Sequence, residues 1–316
     1  MKKIMAFFLM TYFLLYGLTW ATETVLSSAG QALGLENSGG SARAKAMGSA
    51  FVGVADDSSA LLWNPAGLGR LTLSEIGLHH NSWLVDTVQE TLVYGMPLGE
   101  WGGAAAAVNY INYGSFESRD SAGVLGSSYT VSMVGFSAGW GKEFGGHISG
   151  GISLKGLQQT IASQSFTGFG ADIGALWSPD KAWKAGLSYT NLGGTFGGSS
   201  LASSLRLGGS YATEELKDNK LILAVGAQLE TQGTTRIDLG AEDVLFATLA
   251  VRAGYELSTT DPLLGGLSGL TLGAGYLAQH FSIDYAYLPY GDLGTSHRLS
   301  VAYQFGGSTV PTPSTK

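Results

Sequence analysis

The sequence predicts an all-β protein, a 14-stranded antiparallel transmembrane β-barrel with a short helical N-terminal plug. Three observations predict it. Apolar residues recur with a period of two in fourteen segments after residue 74, the pattern of strands with unlike faces. The second face of these segments is small and sparsely charged, where a soluble sheet would present Lys, Glu and Thr to water. Composition agrees: 13% of residues are charged and 48 of 316 are Gly, against about 25% and about 7% in average globular chains.

The same numbers remove other classes. No G-X-Y period exists, so collagen is excluded. Hydrophobic residues reach 45%, too many for intrinsic disorder. Past the N-terminus no stretch approaches the ~20 apolar residues of a membrane helix. The net charge of −7 argues against nucleic acid, whose phosphates need clustered Lys and Arg. With no Cys, there are no disulfides, zinc–thiolate sites, thiol catalysis or lipoprotein-anchoring cysteine.

Residues 1–21 read as a signal peptide. Lys2 and Lys3 precede the apolar run Ile4 to Trp20, and Thr19-Trp20-Ala21 offers a small-x-small cleavage site. The competing reading is a single anchor near the lower length limit for a span. Residues 22–70 do not alternate. Gln31 to Glu36 and Ser41 to Met47 have short helical patterns, and Asp57 can N-cap Ser58 to Trp63 before Pro65 ends that helix. Gly40, Ala42, Ala44, Ala46, Gly48 and Ala50 make the region lean enough to pack as a plug in a narrow barrel; a flexible leader is the alternative.

The strands fall at 75–84, 90–98, 102–111, 128–141, 147–158, 166–178, 183–192, 204–212, 220–230, 234–243, 249–257, 269–279, 280–288 and 297–305. Most are near the about 9–11 residues that cross a bilayer. In the fourth, the apolar phase moves from Val131 and Met133 to Val134, Phe136 and Trp140, which a β-bulge or a misplaced boundary would explain. The polar face carries six positive and five negative residues: Lys155, Asp172, Lys184, Arg206, Arg236, Asp238, Glu242, Arg252, Glu256, Asp284 and Arg298. Such a balance suits a lumen in which side chains pair across the bore, with Arg206, Arg236, Arg252, Glu256, Asp284 and Arg298 as its polar network. Trp83, Tyr94, Trp140, Trp177, Trp183, Tyr189, Tyr211, Tyr276 and Phe305 stand near segment ends on the apolar face, as interfacial girdles do. Strands in lipid must close, because no backbone donor can stay unpaired there. A soluble β-sandwich is the rival architecture.

Gly40-Ser41-Ala42-Arg43-Ala44-Lys45-Ala46-Met47-Gly48-Ser49-Ala50-Phe51, Ala55-Asp56-Asp57 and Asn64-Pro65-Ala66-Gly67-Leu68 resemble the N-terminal signature of the PorV/PorQ branch of FadL-like outer-membrane proteins. The closing His297-Arg298-Leu299-Ser300-Val301-Ala302-Tyr303-Gln304-Phe305 is similar to that branch's last strand. The resemblance implies a hatch over residues 22–70 folded into the lumen, with Asn64, Pro65 and Ala66 at its junction with a barrel over 71–305. FadL-type members release ligand sideways at a kinked third strand. Here 102–111 holds no Pro and no kink, although Gly114 follows. Residues 306–316 extend past the terminal aromatic and read as a disordered tail.

Binding and passage are expected rather than chemistry. His79 and His80 point to opposite strand faces and cannot share a metal; they read as girdle or loop histidines. No G-x-S-x-G elbow stands between a strand and a helix, and the Gly-rich clusters lack the Lys-Ser/Thr of a phosphate loop, so no catalytic residue, metal ligand or cofactor is assigned. The first functional expectation is an outer-membrane channel for hydrophobic small molecules of the long-chain fatty acid or hydrocarbon type. Loops at 112–127 and 193–203 would collect ligand through Phe116, Phe196 and Leu201, unless they are ordinary surface loops. The alternative is a component of type IX secretion binding the C-terminal signal domain of cargo. A purely structural or adhesive barrel is a third possibility. The expected partners are the lipid bilayer, that ligand or cargo, and the outer-membrane assembly machinery through the last strand. A closed barrel needs no partner for its edges, so a monomer is expected.

Overall fold

Alternation at period two gives each segment one apolar and one polar face, and only a closed sheet can keep all polar faces together. The computed structural model describes residues 40–213, 219–231, 234–259 and 267–307. The predicted signal peptide, the helical pattern at Gln31 to Glu36 and the tail beyond Gly307 lie outside them.

The strands are β1 (Leu73–Ser82), β2 (Val88–Pro97), β3 (Gly103–Arg119), β4 (Leu125–Phe144), β5 (Ile148–Ile161), β6 (Gln164–Trp177), β7 (Trp183–Phe196), β8 (Ser199–Ser200), β9 (Ser204–Ala212), β10 (Lys220–Glu230), β11 (Thr235–Leu245), β12 (Leu249–Ser258), β13 (Leu270–Leu277), β14 (Phe281–Pro289) and β15 (Thr295–Gly307). Each pairs antiparallel with its neighbour, and β1 pairs with β15, Ile76 opposite Tyr303 and Leu78 opposite Val301. β8 pairs only with β7. Fourteen strands therefore close the ring. Both ends of the ring segment, Leu73 and Gly307, lie at one rim (the terminal end); the opposite rim is the distal end.

Two expectations about the strands are corrected. The stretch 112–127 is no loop: β3 and β4 continue through it as a paired hairpin with its turn at Asp120–Val124. β4 holds unbroken register with β5 from Val131 to Phe144, so its phase change is neither a bulge nor a boundary error. Met133 is simply an apolar residue facing inward, fully buried. The irregularity sits in β3 instead, where Tyr113 and Gly114 are skipped between the pairs Asn112–Ser132 and Ser115–Thr130. Gly114 supplies the positive φ, +88°, that this bulge requires.

The outer face exposes Leu78, Leu92, Val108, Phe136, Ile152, Leu154, Ile173, Val251, Leu272 and Leu299. Among the expected girdle aromatics, Tyr94, Trp140, Trp177, Tyr276 and Phe305 are exposed. Trp83, Trp183, Tyr189 and Tyr211 are half-buried, with Trp183 packed on Tyr211 at 4.8 Å.

Residues 41–70 form an insert inside the ring, made of α1 (Ala42–Ala46), α2 (Ala60–Trp63) and a 3-10 helix over Pro65–Arg70. Ser41 caps α1 by accepting from the Ala44 N–H. Asp57 caps the turn before α2 rather than α2 itself, accepting from the Ser59 N–H at 2.9 Å. Asn64 takes extended backbone and Pro65 starts the 3-10 helix, which ends α2 where a proline should.

Glycine explains how a bore this narrow holds the insert. Gly103, Gly141, Gly151, Gly174, Gly186, Gly208, Gly240, Gly254 and Gly273 face inward on nine strands, and a Cβ on any of them would come within 3.0 Å of insert atoms. They are in register: Gly103 opposite Gly141, Gly141 opposite Gly151, and Gly151 opposite Gly174. Further round, Gly186 faces Gly208 and Gly240 faces Gly254. This glycine belt lets the insert's backbone lie directly against the wall.

Candidate functional site

Two regions inside the ring differ in chemistry. The first is apolar and lies toward the distal end on the β3–β5 side. Ile111, Met133, Leu157 and Leu201 pack there as a buried cluster, with Tyr113 and Phe196 half-buried against it. Burying each aliphatic side chain is worth about 1.5–3 kcal/mol, so the cluster is a stable apolar patch of the inner face, formed without any residue of the insert.

Leu201 reaches it because β7 is bulged. Between Phe169–Thr195 and Ile173–Tyr189 the ladder with β6 slips twice. Asn191 adopts φ +58°, donates its N–H to Asp172 Oδ1 at 2.9 Å and its side-chain amide to Ala202 O at 2.8 Å. Asp172 is itself held by Lys155 at 2.9 Å and by the Ser153 hydroxyl. The Leu201 N–H then closes onto Gly194 O at 2.9 Å.

The second region is a charge network tying insert to wall. Arg43 of α1 donates twice to Glu242 of β11, at 2.8 and 2.9 Å, and once to Asp56 at 2.7 Å. Glu242 also accepts from Arg252, which reaches Asp284 at 2.7 Å. Lys45 lies 3.5 Å from Glu256 and over the Trp63 ring, whose other neighbour is Arg206. Arg206 also donates to Leu62 O at 3.2 Å. Arg236 pairs with Asp238 at 2.8 Å. Arg298 is buried on β15.

Burial tunes the insert's titrating groups. The Asp57 carboxyl is pushed up to about 7 by burial and by Glu75, with Arg43 opposing. Burial also acts on Asp56, but Arg43 and Lys184 hold it well below the usual carboxylate range. Burial lowers the Lys45 ammonium to about 8 despite Glu256.

Beside this network is a cavity of about 460 Å³ opening at the terminal end, bounded by the insert and by β10–β15 and β1. Arg43, Asp57, Glu75, His79, Asp284, Ser300 and Gln304 line it. His79 is thus neither a girdle nor a loop residue: it is buried on the inner face, its Nδ1 2.8 Å from the Ser300 hydroxyl. His80, on the outer face, meets Glu90 at 2.7 Å.

The predicted site residues divide accordingly. Phe196 and Leu201 come together in the apolar cluster. Phe116 does not; it stands exposed on the β3–β4 hairpin, stacked on Tyr129 at 5.7 Å. Asn64, Pro65 and Ala66 are all buried and hold the insert: the Asn64 amide donates to Val52 O and to Ala175 O of β6, and its carbonyl accepts from Ala66 N–H. Arg252 and Asp284 are bonded to each other, whereas Glu256, Arg206 and Arg236 serve separate partners. Sequence reasoning missed Ile111, Met133 and Leu157; of the three only Met133 left a signal, the apparent phase change in β4. It also missed Arg43, which nothing local marks as a partner of Glu242.

Residues 29–178 match the family described as "Uncharacterised protein family (UPF0164)". A UPF0164 protein of Treponema pallidum (strain Nichols) is 29% identical over 170 residues, 48% of this chain and 51% of that protein. The match thus spans about half the length of that curated relative. Among solved structures, the toluene transporter TodX of P. putida aligns at a TM-score of 0.63 with 14% identity, covering 84% of this chain and 99% of TodX. The CymD monoaromatic hydrocarbon channel aligns at 0.54 with 13% identity, over 83% and 96%. A Pseudomonas aeruginosa FadL homologue aligns at 0.50 with 12% identity, over 81% and 97%. These likenesses show a shared barrel fold.

Proposed function

We propose that the chain is an outer-membrane channel that binds and passes hydrophobic small molecules, with residues 40–70 as its hatch. The observation that carries this reading is the apolar cluster of Ile111, Met133, Leu157 and Leu201, buried inside a ring whose outer face is also apolar. An outward apolar face is what a bilayer solvates. An inward one at the distal end gives a desolvated contact for a ligand too apolar to cross water. The fold likeness to TodX and CymD, described as a toluene transporter and a monoaromatic hydrocarbon channel, supports the same class.

The test is ligand retention. Protein purified in mild detergent is expected to carry, or take up, a monoaromatic hydrocarbon or a long-chain fatty acid detectable by mass spectrometry. Met133→Glu and Leu157→Asp are expected to cut that affinity about tenfold, the equivalent of ~1.4 kcal/mol. Wild-type protein that folds as a barrel and retains neither ligand class overturns the reading. Co-purification with a secreted protein in place of a small molecule would point to secretion instead.

A further inference from the structure

We propose that the barrel carries a second, aqueous route for small hydrophilic solutes, running between the insert and β15–β1 and separate from the apolar cluster. It rests on the membrane-spanning reading of the barrel but not on hydrophobic ligand binding.

The glycine belt decides where a route can lie. From β3 through β9, and again from β11 to β13, the insert's backbone abuts inward glycines with no room between. On β14, Ala286 is packed fully buried against Ala42 and Ala46. At β15 and β1 no inward glycine meets the insert, and the contact is made by hydrogen bonds: the Ser300 hydroxyl accepts from Ala42 N–H at 2.8 Å, and the Ser58 N–H donates to Glu75 at 3.0 Å. The insert is therefore a fixed part of the wall on most of its circumference.

The cavity of about 460 Å³ reaches this side from the terminal end: it is lined by β10–β14 and extends to Glu75 and His79 of β1 and Ser300, Ala302 and Gln304 of β15. His79 lines it with Nδ1 on Ser300, while Nε2, buried, finds no hydrogen-bond partner among the described residues. A buried ring nitrogen in that position calls for a partner brought in from solution. The cavity opens at the terminal end; two residues beyond its lining residues His79 and Ser300, on the same inward faces, come Asn81 and Arg298, where a chain of polar side chains crosses four strands. The Ser296 hydroxyl donates to Asn81 at 2.8 Å, the Asn81 amide to Gln89 at 3.4 Å, and the Gln89 amide to Asn109 at 3.1 Å. All four are buried, and Arg298 stands opposite Asn81 in the ladder. Side-chain hydrogen bonds of this kind part by rotamer changes, without moving backbone. Its groups can bond a hydrated solute as readily as each other.

The experiment is conductance of the full barrel in planar bilayers in KCl. Asn81→Ala with Gln89→Ala is expected to raise conductance about threefold, and Ala302→Trp, which fills the cavity, to lower it about twofold or more. The chain has no native Cys, so Val52→Cys with Gly208→Cys can lock the insert. A Cβ on Gly208 would stand 3.3 Å from that of Val52 and 3.0 Å from Gly53 N, within disulfide reach once the insert gives by a few tenths of an ångström, so the reduced variant is the reference. The locked barrel is expected to conduct as its own reduced form does. Loss of conductance on locking, or a double-alanine variant that folds and never conducts, overturns the proposal; if that variant fails to fold, wild-type conductance unaffected by Ala302→Trp does so. A barrel that conducts but retains no hydrocarbon removes only the channel reading above. One that retains hydrocarbon and never conducts removes only this route.

Discussion

The Arg43 guanidinium and the Glu242 carboxylate meet through two hydrogen bonds, 2.8 and 2.9 Å long, joining residues 199 apart in sequence. This bidentate pair is the strongest single tie between the insert and the wall, and it is shared: Glu242 also holds Arg252, and Arg43 also holds Asp56.

Removing one partner of such a pair strands the other. Arg43→Met is expected to destabilise the seated insert by about 3–5 kcal/mol. Glu242→Gln should cost at least as much, because it leaves both Arg43 and Arg252 short of a carboxylate. The measurement is limited proteolysis within residues 40–70 alongside thermal unfolding of the barrel. Rapid cleavage with an intact, heat-modifiable barrel is the expected outcome; unchanged cleavage in both variants would show that the belt alone holds the insert.

Two glycines on β5 separate packing from propensity. Gly151 faces inward, where a Cβ would strike Pro65, whereas Gly156 has nothing within 4 Å. Gly151→Ala is expected to displace the 3-10 helix, with a cost of about 1–3 kcal/mol as in other overpacked sites. Gly156→Ala should be neutral or slightly stabilising, since it removes freedom from the unfolded chain. Equal effects of the two substitutions on barrel stability would contradict a role for the belt.

How far the sequence carried differs between wall and interior. The strands at 204–212 and 220–230 have the same limits in the structure, because the contrast between faces is local and period two is readable one residue at a time. The glycine belt is not readable that way. Gly141 and Gly151 become partners only through the register of β4 with β5, so in the sequence they are merely two more small residues. Arg43 and Glu242 likewise meet only once the ring closes. Met133 misled for a related reason: alternation assumes that each face has one solvent, and at Met133 the inner face is apolar. Leu201 could not be placed at all without the two bulges in β7.

Asp57 gives the insert a pH dependence. Its carboxyl titrates near 7 in the folded protein, raised by burial and by Glu75, against an ordinary value near ~3.9. The seated insert therefore binds a proton that the released one does not, so seating is favoured below pH 7 and weakens as pH rises through that value. Asp56, held well below the usual range, and Lys45, lowered to about 8, titrate outside the interval from 5 to 7. Amide exchange over Ser58–Trp63 is expected to quicken between pH 5 and pH 7, after correction for intrinsic rates, by an amount on the order of 2 kcal/mol. Asp57→Asn should flatten the profile. A profile identical in wild type and Asp57→Asn would assign the dependence elsewhere.

The apolar cluster depends on a backbone feature that can be tested apart from its side chains. Leu201 lies against Gly194, where a Cβ would stand 2.9 Å from its Cδ1, and the two residues also share a backbone hydrogen bond. Gly194→Ala therefore pushes Leu201 off Met133 and Leu157 while leaving every apolar residue in the sequence. Asn191→Gly keeps the positive φ of the bulge but loses the amide bond to Ala202, so it should loosen the same turn less. If ligand contacts the cluster as it is arranged here, affinity for a monoaromatic hydrocarbon falls in the order wild type, Asn191→Gly, Gly194→Ala, with about tenfold separating the extremes. Detergent-solubilised barrels titrated by intrinsic fluorescence would show that order. Affinity unchanged in Gly194→Ala would mean that the cluster only packs the distal rim, because the added Cβ presses on Leu201 and on the Asn191 carbonyl of the same bulge.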